Sequence, residues 1–285
     1  MRDSYAGQVV ETLFHSTTPD QQNKILASFY GKDYIVKCER QLGGDSKMYS
    51  LSNLLEKLKE DEVFEILVSL SKLFESFLDR ECLQMHSLIH CGLYHFVQEL
   101  GKRKNVERVK GLLGETIELL RDVIPFISHT SYGSKLSNLL IWHGSAKDRK
   151  HILKAVSKED NIIGMTRSKY GSQVVVCLLD CVDDTRNLNQ SVTEKIFPIF
   201  ENMALEKTAE DVHAKKVFLY IVKGRESLHK DSIRLTSCQD GDDISTSKKD
   251  SAVRHKEIFK CFAEKLIKTL NQDFMSVILK TQIRI

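Results

Sequence analysis

Ser131-Tyr132-Gly133-Ser134-Lys135-Leu136 and Lys169-Tyr170-Gly171-Ser172-Gln173-Val174-Val175 are two copies of one pattern, aromatic, small, x, x, apolar, with their tyrosines 38 residues apart. A third copy, Ser4-Tyr5-Ala6-Gly7-Gln8-Val9-Val10, opens the chain. Looser copies stand at Ile89-His90-Cys91-Gly92-Leu93 and His213-Ala214-Lys215-Lys216-Val217, and a degenerate one fits near Tyr49. A period of about forty residues is the mark of a repeat architecture. Inside each copy the large side chains recur at i, i+4 and i+8: Tyr5/Val9/Leu13, Ile89/Leu93/Val97, Tyr132/Leu136/Leu140, Tyr170/Val174/Leu178 and His213/Val217/Ile221. That spacing is one face of a helix, and each stripe is expected to be buried. The small residue after the aromatic is expected where neighbouring helices approach closely, because a larger side chain would hold their backbones apart.

Further amphipathic runs lie between the stripes, at residues 62–78, 106–127 and 191–203. Helix, connector, helix at a fixed period predicts an all-α, right-handed solenoid of the armadillo/HEAT-like kind, in which each unit buries its face against the next. The repeats are expected over 1–225, the first of them incomplete. Residues 226–250 lack apolar periodicity and read as a flexible insertion. Residues 251–285 read as a C-terminal helical segment, with an amphipathic helix over 251–270 through Val253, Ile258, Phe262, Leu266 and Leu270. Because Tyr5 already stands in the second helix of a unit, the sequence is expected to be a fragment lacking N-terminal repeats and a closing C-terminal unit.

The composition agrees with helices: 285 residues hold 3 prolines and 14 glycines, few for a chain of many short strands. The formal net charge of +3 decides little, but its distribution is uneven. Residues 44–81 carry nine acidic and five basic side chains, whereas 132–175 carry eight basic and three acidic ones. Seven cysteines, an odd number without a CxxC pair or a secretory leader, point to a reducing compartment. No run approaches eighteen apolar residues, so no membrane partner is expected.

The Tyr-Gly-x-x-Val motifs resemble Pumilio (PUF) repeats. From Tyr132 onward the resemblance narrows to the divergent nucleolar Puf-A branch with its CPL-type C-terminal region. The strings that carry it are Ile141-Trp142-His143-Gly144-Ser145-Ala146-Lys147-Asp148-Arg149-Lys150, Leu179-Asp180-Cys181-Val182-Asp183-Asp184-Thr185-Arg186, Lys215-Lys216-Val217-Phe218-Leu219-Tyr220-Ile221 and Ser247-Lys248-Lys249-Asp250. Residues 1–130 match more loosely. The resemblance implies a nucleolar protein that binds RNA or DNA with little sequence preference and acts in large-subunit ribosomal RNA maturation. The partners it implies are pre-rRNA, mRNA, double-stranded DNA and ribosome-assembly proteins, met by a monomer in the nucleus and nucleolus.

In the better-known Pumilio proteins, each repeat reads a base with residues two and six places after the aromatic and stacks with the residue three places after it. In this chain those sets are Gly7/Glu11 with Gln8, Cys91/His95 with Gly92, Ser134/Asn138 with Lys135, Ser172/Val176 with Gln173, and Lys215/Leu219 with Lys216. No stacking position holds an aromatic or arginine, and Val176 and Leu219 cannot bond a base edge. The base-reading code is broken. Gln8, Glu11, Ser134, Asn138, Ser172 and Gln173 remain as polar candidates. Lys135, Lys147, Arg149, Lys150, Arg167, Lys169, Lys215 and Lys216 are expected to follow phosphates, giving salt-sensitive binding of low specificity. A solvated lysine face is the plainer alternative, and a protein-interaction scaffold, favoured by the acidic segment 44–81, is the other functional one.

Catalysis has no candidate constellation, and no cofactor or metal is expected. Cys82, His86 and His90 stand at i, i+4, i+8, but one straight helix spreads three such ligands over about 12 Å, too far for a single zinc. Asp183-Asp184 beside Asp180 reads as a helix end followed by a new helix start.

Overall fold

The computed structural model describes residues 4–43, 49–77, 86–158, 161–205, 211–228 and 243–282. Among them there are helices and connectors and no strand. The chain divides into two compact units, Met1–Gly144 and Ser145–Ile285.

The first unit contains α1 (Ser4–Ser16), α2 (Pro19–Tyr30), α3 (Lys32–Leu42), α4 (Leu51–Leu55), α5 (Glu60–Glu75), α6 (Ser87–Lys102), α7 (Glu107–Leu120), α8 (Ile124–Ile127) and α9 (Ser131–His143). Its centre is α6, which packs against α1, α4, α5, α7 and α9. Leu88, Ile89, Cys91, Leu93, Phe96, Val97 and Leu100 clothe more than one side of α6, and a helix apolar on several sides belongs inside. Gly101 lets α9 come close, since a Cβ there would run into the His143 imidazole. Burial keeps that imidazole neutral, with its pKa pushed down to about 4. One acid, Glu99, is tolerated in this centre because Lys102, at 2.6 Å, and Arg103 both donate to its carboxylate.

The stripes Ile89/Leu93/Val97 and Leu136/Leu140 are fully buried, with Tyr132 half-buried at the head of the second. The stripe of α1 is not. Val9 is 69% and Leu13 52% exposed, while Gly7 and Phe14 are buried. The reason is local: the His86 ring lies so close to Gly7 that no Cβ fits between them, and Phe14 joins Leu26, Leu88 and Cys91 in a core cluster. That contact turns α1 onto its Gly7/Val10/Phe14 side. The side chain of Tyr5 lies outside the described residues.

The second unit contains α10 (Ala146–Val156), α11 (Asn161–Arg167), α12 (Gly171–Cys181), α13 (Thr185–Leu188), a π-helical turn (Asn189–Thr193), α14 (Glu194–Leu205), α15 (Val212–Lys223), a 3-10 turn (Gly224–Leu228) and α16 (Ser251–Gln282). Here α12 is central, buried at every residue but Gln173 and packed on α11, α15 and α16. Val174/Leu178 and Val217/Ile221 are fully buried, as their stripes require. Phe197, Phe200, Phe218 and Phe262 interlock with ring centroids 5.1 to 6.2 Å apart and bind α14, α15 and α16 together.

The glycine after each tyrosine stands where the preceding helix comes close, as expected: a Cβ on Gly133 would enter the Ile127 carbonyl at the end of α8, and one on Gly171 would meet the Met165 backbone of α11 and the Ser168 hydroxyl. One expectation changes here. The expected flexible insertion ends earlier than 250. Residues 229–242 lie outside the described residues, but 243–250 form a strap closed on Asp183. Its carboxylate accepts from the Ser247 hydroxyl at 2.6 Å, the Lys248 amide at 3.0 Å and the Lys249 amide at 3.2 Å. Arg254 locks the same strap, donating to Asp183 at 3.1 Å, to the Lys249 carbonyl at 2.7 Å, to Ser247 and to the Asp180 carbonyl. This is why Arg254 is buried and Val253, expected inside, is 49% exposed.

Burial opposes ionisation of Asp183, but the donations from Lys248, Ser247, Lys249 and Arg254 outweigh it and hold the carboxyl below the usual carboxylate range. A depressed carboxylate pKa stabilises the fold above the unfolded value of about 3.9, and that stabilisation drains away as pH falls below it. Denaturant melts of the whole chain between pH 6 and pH 3 are therefore expected to show wild type losing stability with acid more steeply than Asp183→Asn. Equal slopes would refute the anchoring role of Asp183.

Candidate nucleic-acid interface

The reading positions lie on α1, α6 and α9 of the first unit and on α12 and α15 of the second. On α6 and α9, Cys91 and Ser134 are 0% and Asn138 4% exposed. On α12, Ser172 and Val176 are likewise buried. Ser134, Asn138 and Ser172 are thus corrected from base-edge candidates to interior residues. The cause is that α6 packs directly on α9, and α12 on α15, so the middle of each helix face is covered by protein.

Glu11 is corrected as well. Its carboxylate accepts from the Ser87 amide at 2.8 Å and the Leu88 amide at 3.4 Å, supplying an acceptor to the open N-terminus of α6. Ser87, His15 and Glu11 together look like a nucleophile, base and acid, yet Ser87 Oγ and Glu11 Oε1 both approach the same His15 nitrogen, Nε2, at 3.0 Å. A proton relay needs the base held through its other nitrogen. His95, the reading residue of α6, is half-buried and its pKa is pushed down to about 4 by that burial, so it offers no positive charge near neutrality.

Arg149 is the third correction. It is 2% exposed, donates to Thr246 Oγ1 at 2.7 Å and lies 3.8 Å from Asp183, so it fastens the strap rather than facing solvent. Sequence reasoning missed this because its partner is 97 residues away. The Asp180 cluster is equally occupied. Tyr220 donates to Asp180 at 2.6 Å, and Arg225 at 2.8 and 2.7 Å in a two-pronged clasp. His90 bonds Thr130 through Nδ1 at 2.7 Å, and Cys82 lies outside the described residues. Among the described residues no group of three or more His, Cys, Asp or Glu is placed to hold a metal.

What remains outside is basic. In the first unit, Gln8 and Lys135 are exposed. The Lys135 ammonium lies 5.3 Å from the Tyr132 ring centroid and 5.8 Å from that of Tyr94, which sequence reasoning had not singled out. In the second unit, Lys147, Lys150, Arg167, Lys169 and Lys215 are exposed, and Lys216 and Gln173 half-exposed. Arg167 stands 3.7 Å from Asp211, which softens its charge. Lys169 covers the Tyr170 ring at 5.2 Å. Lys135, Lys169 and Lys215 each belong to the N-terminal end of a reading helix, where the helix field also favours an anion. The amides there are capped by Thr130, Ser168 and Asp211 of the chain itself, so an approaching phosphate meets the ammonium groups.

Residues 210–284 match the CPL (NUC119) domain family. The chain is 24% identical to Pumilio homolog 3 of Homo sapiens over 280 residues, covering 98% of this chain and 40% of that protein. It is 27% identical to Pumilio domain-containing protein 12 of Caenorhabditis elegans (98% of this chain, 33% of that protein). It is 28% identical to Pumilio homology domain family member 6 of Schizosaccharomyces pombe over 262 residues (90% and 37%). The chain thus spans about two fifths of the length of such relatives. Among solved structures it is similar to human Puf-A in complex with DNA, with a TM-score of 0.75, 23% identity, and coverage of 98% of this chain and 51% of that one. The likeness establishes the fold: an all-α solenoid of Pumilio-type repeats.

If Arg149 fastens the strap, Arg149→Ala is expected to lower the melting temperature of the whole chain by several degrees, a cost of about 2–4 kcal/mol for unpairing buried polar groups. Nucleic-acid affinity per folded molecule stays unchanged. A variant that melts like wild type but binds more weakly would restore Arg149 to the interface.

Proposed function

We propose that this divergent Pumilio-like chain binds RNA through its phosphate backbone, with little regard to base sequence. The observation that carries the reading is the contrast along the reading helices. Positions that would contact bases, Cys91, Ser134, Asn138, Ser172 and Val176, are sealed inside, while Lys135, Lys169 and Lys215 stand outside at the helix ends. Phosphate contacts give affinity and register without sequence information. That a structural neighbour, human Puf-A, has been crystallised with DNA supports a nucleic-acid ligand and admits DNA beside RNA.

The finer role follows the resemblance: a ribosome-biogenesis factor of the nucleolus, acting on pre-rRNA in company with ribosome-assembly proteins, and not an enzyme. Pre-rRNA suits the chemistry because a long polyanion rewards scattered lysines that no short motif would. Regulation of mRNA is the less favoured role, since it demands selection among sequences.

The test is a salt titration of binding to three unrelated single-stranded RNAs of equal length. Affinities are expected to agree within a few fold, and log Kd to change linearly with log salt concentration. Each phosphate-contacting lysine contributes about 0.7 to the slope on a single strand, so replacing Lys135, Lys169 and Lys215 with alanine lowers it by about 2. Tight binding to one RNA alone, or an unchanged slope in the triple variant, would overturn the assignment.

A further inference from the structure

The first unit holds a second concave surface that the reading helices α1, α6 and α9 do not line. It is a groove of about 460 Å³ between α3 and α5, bounded by Tyr30, Gly31, Lys32, Asp33, Tyr34, Val36, Lys37, Arg40, Glu65, Ile66, Ser69 and Leu70. Its size falls in the range of about 300–1,000 Å³ typical of binding clefts.

The lining has a definite chemistry. Tyr34, Ile66 and Leu70 form an apolar, buried floor, and Val36 adds an aliphatic side chain that is 41% exposed on the wall. The α3 wall carries Lys32, Lys37 and Arg40, and none of these cations has an ion-pair partner among the described residues. The hydroxyl of Tyr30, which also lines the groove, is buried and has no hydrogen-bond partner among the described residues. Asp33 and Glu65 stand on the same walls, likewise without ion-pair partners among the described residues.

We infer that this groove docks a short acidic, partly apolar segment of a partner protein, whose carboxylates meet Lys37 and Arg40 while its apolar side chains cover Val36, Ile66 and Leu70. Charge complementarity selects the occupant. The unpaired cations outnumber the anions and call for acid, but Glu65 and Asp33 would repel a continuous run of phosphates. A peptide answers both, because it places carboxylates singly and can set a lysine opposite Glu65. Positions 33, 36, 37 and 40 share one side of α3 over about 10 Å, the reach of two turns of a helical ligand. The partner segment and RNA therefore use different elements of the first unit.

The experiment is selection of a displayed library of random twelve-residue peptides on the whole chain. The selected peptides are then measured against wild type, Lys37→Glu/Arg40→Glu and Glu65→Lys. Enriched peptides are expected to carry at least two Asp or Glu residues at helical spacing beside a large apolar residue. Two charge reversals at the rim are expected to weaken them at least about tenfold, as like charges then face each other. Glu65→Lys is expected to leave them as tight or tighter. All three positions are side chains at the groove rim, and unchanged far-ultraviolet circular dichroism confirms that each variant folds. Lys135→Ala, outside the groove, leaves peptide binding intact, which separates this site from the RNA reading. Absence of enrichment, enrichment of basic peptides, peptides that bind the double variant equally well, or RNA binding lost on Lys37→Glu/Arg40→Glu would each overturn the proposal.

Discussion

Direct packing of one reading helix on the next governs this protein. Where α6 meets α9, and α12 meets α15, the packing covers the middle of each face, with Cys91, Ser134, Asn138, Ser172 and Val176 buried. In a solenoid that reads bases those positions must stay open. Here they are sealed, and Lys135, Lys169 and Lys215 stand outside at the capped helix N-termini. On the proposed reading, low base specificity and retained charge both follow from that packing.

The same economy explains the polar interior. Glu99 and Asp180 are buried acids and Asp183 a half-buried one, and each is met by at least two donors. Asp183 and Asp180 lie at the end of α12 and beyond it, and through Arg254, Arg225 and Tyr220 they tie that helix to α15, the 3-10 turn, the strap and α16. What reads in sequence as an acidic pair is the fastening point of the second unit.

Much of this was legible in the residues. The i, i+4, i+8 stripes located the central helices and predicted their buried sides in four of five repeats, because an amphipathic period records local geometry directly. The stripe of α1 failed because one contact, His86 on Gly7, rotates the helix, and periodicity cannot report on a neighbour 79 residues away. Exposure of Ser134, Asn138 and Ser172 was misjudged for a related reason: polarity suggests surface, but the spacing between adjacent helices decides it. Arg149 looked like one more member of a basic turn. Only its approach to Thr246 and Asp183 distinguishes it from Lys147 and Lys150, and that approach is made in three dimensions.

The central claim is that phosphates, not bases, are what the chain recognises. The most direct measurement compares its affinity for a single-stranded oligonucleotide with that for an abasic strand of the same length and backbone, at one salt concentration. Recognition by lysine-phosphate contacts predicts affinities equal within about twofold, since removing bases removes no charge. A loss of more than about tenfold on the abasic strand would show that bases are bound after all, and the account would fail.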